Sequence, residues 1–232
     1  MTIHLIFDLL AYGVGTLLTW RVFRPEKPSI SNENIRYAYY TTVIVGAFIG
    51  AFILGSLNTY YSLEQENLIL GKSILGAIVG ATITVELFKK VMKIKGSTGA
   101  YFVPSLAIGI AIGRLGCFFS GLDDYTYGVE TSFFLGYDFG DGLLRHPVQL
   151  YESAIMALFF LYVIYIYIKD INYFKNKIFY QFILIYSTQR FLWEFLKPYE
   201  TIALGLNVFQ LFCLGLMLYA INHLKKEIDE KY

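Results

Sequence analysis

The sequence predicts an all-α integral membrane protein with seven transmembrane helices, its amino terminus outside and its carboxyl terminus cytoplasmic. Three observations lead there. Of 232 residues 56% are hydrophobic, with a mean hydropathy of +0.52. Charged residues make up 16% of the chain, against about 25% for an ordinary soluble domain. The apolar residues gather into continuous runs near the length of about 20 residues that spans a bilayer. Continuous runs, without alternation, favour helices over a barrel.

The runs cover Leu5–Phe23, Tyr37–Leu57, Leu68–Phe88, Gly99–Phe119, Val148–Ile168, Ile178–Leu196 and Ile202–Asn222. Asp8, Gly13 and Gly15 interrupt the first. The chain opens Met1-Thr2-Ile3-His4 without a Lys/Arg-rich stretch, and Asp8 follows, a poor fit to a cleavable signal. The first run is expected to stay as a helix. One membrane domain, 1–232, is expected, with a longer extracytoplasmic loop at about 120–147.

Charge sets the orientation. Arg21, Arg24, Lys27 and Arg36 follow the first run, and Lys89, Lys90, Lys93 and Lys95 follow the third. Lys169, Lys175 and Lys177 follow the fifth, and Lys225, Lys226 and Lys231 close the chain. The opposite loops carry Glu64, Glu66, Asp123, Asp124, Glu130, Asp138 and Asp141. Basic loops stay in the cytoplasm, and four separate loops agree. A net charge of +1 gives no basic footprint for nucleic acid. Cys117 and Cys213 fall in different runs, without disulfide or zinc spacing.

This topology gathers polar residues on the outer half of the membrane. Arg114 and Cys117 end the fourth run, and Arg190 and Glu194 lie in the last turns of the sixth. His146, Gln149, Tyr151 and Glu152 open the fifth, His4, Asp8 and Tyr12 the first, and Lys72 and Ser73 the third. A spanning arginine costs about 2.5–3.5 kcal/mol on insertion scales, so it faces a protected interior with a partner. Guanidinium stays charged, and its planar fork fits phosphate bidentately. A cavity for a lipid head group is the simplest explanation.

Each residue also has a plainer reading. Arg190 and Glu194, four apart, can simply pair. Arg114 can snorkel from a helix end. His146-Pro147 resembles a helix start with Pro in the first turn, and Glu152 fits a contact with the helix dipole. Gly46/Gly50, Gly76/Gly80 and Gly109/Gly113 have the spacing of close helix packing. Cys213 reads as packing, and no motif makes Cys117 a nucleophile.

Three motifs carry a family resemblance. Gly113-Arg114-Leu115-Gly116-Cys117-Phe118-Phe119-Ser120-Gly121, followed by Gly128, is similar to Gly-Arg-x-Gly-Asn-Phe-x-Asn-Gly-Glu and a later Gly. His146-Pro147-Val148-Gln149-Leu150-Tyr151-Glu152 resembles His-Pro-(Ser/Thr)-Gln-Leu-Tyr-Glu. Arg190-Phe191-Leu192-Trp193-Glu194-Phe195-Leu196-Lys197-Pro198 resembles Arg-Phe-x-x-Glu-Phe-x-Arg-x-Pro. Tyr12-Gly13, Gly205 and Gln210 echo its first and last helices. The motifs are those of the prolipoprotein diacylglyceryl transferase family, seven-helix enzymes of the bacterial plasma membrane.

The resemblance implies transfer of a diacylglyceryl group from phosphatidylglycerol to the lipobox cysteine thiol of a prolipoprotein, releasing glycerol phosphate, with no metal or cofactor. It implies catalytic roles for Arg114, Arg190, Glu152 and His146. Arg114 would hold the phosphate, and Arg190 would orient or neutralise the leaving group. Glu152 and Glu194 would position the arginines. Tyr12, Ser120, Gly121, Gln149 and Tyr151 would complete substrate binding. The implied partners are phosphatidylglycerol, the prolipoprotein signal segment and membrane lipids.

The chain departs from the family pattern at several positions. The third-helix His falls on Leu75, the Asn after Gly-Arg-x-Gly is Cys117, the second Asn is Ser120, and the Glu is displaced to Asp123/Asp124. His146 or Glu152 would then serve as surrogate base. Two alternatives remain: a divergent relative that lipidates another acceptor or binds lipid without turnover, and a transporter with a charged pathway. Transporters often show related halves, and no internal repeat is visible here.

Overall fold

The computed structural model describes residues 2–23, 30, 32–62 and 70–229. Arg24, Lys27, Glu64, Glu66, Lys231 and the first two residues of the Leu68–Phe88 run lie outside them, as does the side chain of Lys226. The described residues form seven long helices: α1 Thr2–Leu18, α2 Glu33–Ser62, α3 Ile74–Met92, α4 Val103–Ser120, α5 Val148–Lys169, α6 Ile171–Glu194 and α7 Val208–Asp229. A π-helical turn, Thr19–Phe23, continues α1.

Length and hydropathy qualify five helical stretches to cross a membrane: Ile3–Phe23, Glu33–Tyr61, Ala100–Asp124, Val148–Lys169 and Val208–Lys225. The protein is a multi-pass helical membrane protein. Helices α3 and α6 carry more polar residues and fall outside that set.

Several boundaries differ from the apolar runs. Helix α3 starts at Ile74, where the Ser73 hydroxyl accepts from the Gly76 amide at 3.2 Å. Its basic end is not all loop, because Lys89 lies within the helix, buried and paired with Glu86 at 2.9 Å. Helix α6 begins seven residues before its run, where the Asp170 carboxylate caps the Tyr173 amide at 2.9 Å. Capping satisfies amides that the first helical turn leaves unpaired. Helix α7 starts late, at a capping box in which Asn207 and Gln210 each accept the other's amide at 2.9 Å.

The contacts group the chain into two units. The first holds Met1–Pro25, Gly99–Pro198 and Ala220–Tyr232; the second holds Glu26–Thr98 and Tyr199–Tyr219. In the second unit α2 and α3 pack through glycines, as the spacing predicted. A Cβ on Gly50 would come 2.8 Å from Gly80 Cα, and one on Gly76 would come 2.8 Å from Leu54 Cβ. Gly109 and Gly113 are a correction, since a Cβ on either meets nothing within 4 Å. Their spacing creates no packing face. In α4 the close approach falls on Gly116, where a Cβ would come 2.6 Å from Phe7 Cβ of α1.

The first unit holds α1, α4, α5 and α6. Ser105 of α4 donates to the Gly15 carbonyl of α1 at 2.9 Å, and Ser153 of α5 donates to the Ala111 carbonyl of α4 at 2.8 Å. Its core is apolar, with Phe23, Val103, Met156, Val163, Phe174, Ile178, Phe182 and Ile183 fully enclosed.

The long loop after α4 is structured. A 3₁₀ turn at Gly121–Asp124 leads to a hairpin of β1 Tyr137–Asp138 and β2 Leu144–Arg145. Asp138 Oδ1 accepts the amides of Gly140, Asp141 and Gly142 at 2.8, 3.1 and 3.0 Å, shaping the turn. The Gly128 amide donates to the His146 carbonyl at 2.9 Å and the Val129 amide to the Leu196 carbonyl at 2.7 Å. The loop is thereby strapped across the start of α5 and the end of α6.

Candidate active site

Three helices of the first unit bring the predicted charges together. Arg114 lies near the end of α4, Glu152 in the second turn of α5, and Arg190 and Glu194 in the last turns of α6. Arg114 Nε meets Glu152 Oε2. Arg190 Nη1 donates to Glu152 Oε1 at 2.7 Å, and its Nη2 reaches Glu194 Oε1 at 2.7 Å. Two guanidiniums from different helices thus grip one carboxylate. Arg114 does not snorkel; it is 8% exposed, and Arg190 is 4% exposed.

Lys197, which the sequence offers no reason to single out beyond its place in the third motif, joins the cluster. Its Nζ lies 3.1 Å from Glu152 Oε1 and 3.5 Å from Glu194 Oε1, with the residue 4% exposed. Its signal was faint: a Lys three residues after Glu194, where the family motif has Arg.

These five groups set three cations against two carboxylates, one positive charge in excess. Buried ions recover their desolvation only through good geometry and further hydrogen bonds. The cluster has the geometry, and the surplus charge suits an anion.

Gln149 lies three residues before Glu152, on the same side of α5. It is 1% exposed, yet neither its Oε1 nor its Nε2 meets a hydrogen-bond partner among the described residues. An orphaned buried polar group costs about 1–3 kcal/mol. A bound ligand offering both a donor and an acceptor would remove that penalty.

The remaining predicted residues lie outside the cluster. His146 Nδ1 pairs with the Tyr151 hydroxyl at 3.3 Å, and Tyr151 packs on Trp193 with ring centroids 5.3 Å apart. His146 precedes α5, with Pro147 at the helix cap and not at the first helical position. Ser120 turns its hydroxyl back to the Gly116 carbonyl of its own helix at 2.9 Å. Gly121 takes a positive φ of 66° where α4 ends. Tyr12 is 75% exposed on α1, pointing away from the unit's interior. Lys72 and Ser73 belong to the second unit, as does Leu75, an apolar side chain 1% exposed.

A second polar group forms where α1 meets the end of α4. His4 Nδ1 pairs with Asp8 Oδ2 at 3.1 Å, while His4 Nε2 lies 3.4 Å from Asp124 Oδ1 and 3.7 Å from Cys117 Sγ. Arg114 Nη1 lies 3.9 Å from the same sulfur. Arg114 therefore joins the two groups.

The profile of the prolipoprotein diacylglyceryl transferase family matches residues 4–224. The chain belongs to this family. A phosphatidylglycerol–prolipoprotein diacylglyceryl transferase of Ehrlichia ruminantium (strain Welgevonden) is 29% identical, covering 90% of this chain and 85% of that protein. A second such transferase of Clostridium perfringens (strain 13 / Type A) is 29% identical over 94% of this chain and 92% of its own length. The one of Rickettsia africae is 31% identical over 64% of this chain and 61% of its own. No solved structure matches. Family membership bears out the resemblance drawn from the three motifs, and with it the transferase class.

Proposed function

We propose that the chain transfers the diacylglyceryl group of phosphatidylglycerol to the lipobox cysteine thiol of a prolipoprotein, releasing glycerol phosphate. The observation that carries this reading is the shared grip of Arg114 and Arg190 on Glu152 beside Lys197, a buried cluster with one positive charge in excess. The chain lies in a bacterial plasma membrane as seven spans, amino terminus outside, with the cluster toward the extracytoplasmic side.

The reaction is displacement at a glyceryl carbon. The thiolate forms the C–S bond as the C–O bond to phosphate breaks, and the electron pair leaves on a phosphate oxygen. Charge grows there, so fixed cations stabilise the transition state most. Arg114 and Arg190 offer donors in a fork matched to phosphate, and Lys197 adds a compact charge. Glu152 and Glu194 hold these cations before lipid arrives. With both oxygens engaged, Glu152 is placed to position cations and not to accept a proton. Gln149 supplies an unpartnered amide to the glycerol or phosphate oxygens. His146 and Tyr151 border the strap.

Purified protein, labelled phosphatidylglycerol and a lipobox peptide test the reading. Thioether product from wild type, reduced at least about 100-fold in Arg114→Ala, is expected from removal of one transition-state donor. Lipid bound without product would point to the silent relative, a reading favoured by Leu75 at the position of the family's His. Lipid flux in proteoliposomes without product would point to a transporter.

A further inference from the structure

His4, Asp8, Cys117 and Asp124 take no part in the cluster of arginines and carboxylates, yet they converge. His4 Nε2, Cys117 Sγ and one Asp124 oxygen lie within 4.8 Å of one another. Zinc bonds of about 2.0–2.3 Å in a tetrahedron give donor–donor edges of about 3.3–3.7 Å. The His4–Asp124 separation of 3.4 Å and the His4–Cys117 separation of 3.7 Å already have that size. The Cys117–Asp124 edge lies within the same 4.8 Å.

Each of the three donors also has an outer partner. Metal-binding imidazoles give their second ring N–H to a carboxylate or carbonyl, and Asp8 Oδ2 stands 3.1 Å from His4 Nδ1. With a metal on Nε2, Asp8 is placed to accept the N–H left on Nδ1. Thr126 Oγ1 donates to Asp124 Oδ2 at 2.6 Å, leaving Oδ1 as the inward oxygen. Arg114 Nη1 lies 3.9 Å from Cys117 Sγ, the outer contact of the sulfur.

We propose that His4, Cys117 and Asp124 bind one Zn²⁺, with Asp8 as the outer partner of His4 and the fourth position open to the acceptor thiol. A mixed N, S and O donor set suits zinc. The inference rests on the transferase reading and adds a metal to a reaction for which the resemblance implies none. A coordinating thiol is deprotonated outright, which supplies the activation that Leu75 cannot. Zinc-bound hydroxide takes the incoming thiol's proton and leaves as water, and the thiolate takes its place. The thiolate then forms the C–S bond while the phosphate departs toward Arg114 and Arg190. The neutral thioether leaves the zinc, and water returns and loses a proton to solvent. Arg114 touches both centres, so nucleophile and leaving group meet on either side of one glyceryl carbon.

The test uses full-length protein in detergent, stripped with a chelator and reloaded with Zn²⁺ or Co²⁺. One metal per chain is expected. With Co²⁺, tetrahedral visible bands and a thiolate-to-cobalt charge-transfer band are expected. Cys117→Ala should abolish the charge-transfer band, and Asp8→Asn should weaken binding about 10–100-fold. No stoichiometric metal on wild type, or a charge-transfer band unchanged in Cys117→Ala, overturns the site. The wild-type spectrum decides the matter even if a variant misfolds. Transfer that stops on stripping and returns with zinc supports thiol activation. Equal transfer by stripped and loaded protein refutes that role and leaves the transferase reading standing. Zinc bound as expected, with no transfer in either form, refutes the transferase reading and the activation role, while the metal site stands.

Discussion

Replacing Glu152 with Gln keeps shape and removes one charge from the middle of the cluster. In the folded protein Arg114, Arg190 and Lys197 all reach that carboxylate. Within these five groups Glu194 then opposes three buried cations, and their surplus rises from one positive charge to two. Removing one partner of a buried ion pair costs about 3–5 kcal/mol. Against total stabilities of about 5–15 kcal/mol, that is a large fraction. For a chain of this size about 1 kcal/mol moves the midpoint by roughly 2–4 °C, so a fall of about 6–20 °C is expected. An anionic ligand seated on the cations should return part of the loss. Thermal unfolding in detergent, with and without phosphatidylglycerol, measures both effects. The lipid should raise the midpoint of Glu152→Gln more than that of wild type, whereas a zwitterionic lipid should not. A midpoint within about 2 °C of wild type, or equal rescue by both lipids, would refute the claim that Glu152 holds surplus positive charge ready for phosphate.

Gln149→Leu removes two orphaned polar atoms from a buried position, so the free protein should unfold no more easily, and up to about 1–2 kcal/mol less easily. Its transfer rate should fall at least tenfold, and a loss of both stability and activity would show packing alone. Gly128 leaves no room for a side chain, with a Cβ falling 2.6 Å from the His146 carbonyl and 2.9 Å from that of Leu196. Gly128→Ala should therefore loosen the strap, read as faster amide hydrogen exchange at Val129 and His146. The Arg145 hydrogen bond holds the exposed Asp141 carboxyl below its usual range. Because the folded value is the lower one, the hairpin gains stability above the ordinary carboxylate range and loses it as pH falls through the folded value. The protection factor of the Thr131 amide, its exchange rate divided into the intrinsic rate at each pH, should fall on acidification in wild type and stay flat in Asp141→Asn.

How much was legible in the sequence differed by element. Span α5 was readable almost to the residue, because His146-Pro147 marks its start and apolar side chains fill it to Lys169. Helix α6 was not, because its first turns carry Tyr173, Lys175, Asn176 and Lys177, and hydropathy cannot see a helix begun by the Asp170 cap. The paired glycines of α2 and α3 were read correctly as packing, while the identical spacing in α4 was not. Spacing states which residues share a face, and only the neighbouring helix decides whether that face is covered.

The sequence by itself determined the family, the helical membrane class and the arginines and glutamates of the cluster, because burying a charge in hydrocarbon is costly enough to leave a mark in composition and motif. It could not decide that Arg114 and Arg190 would take the two oxygens of one carboxylate, or that Lys197 would join them. Nor could it bring His4 to Cys117, separated by 113 positions in the chain. Those arrangements depend on how α1, α4, α5 and α6 pack, and distance between side chains on different helices is a property of tertiary structure alone.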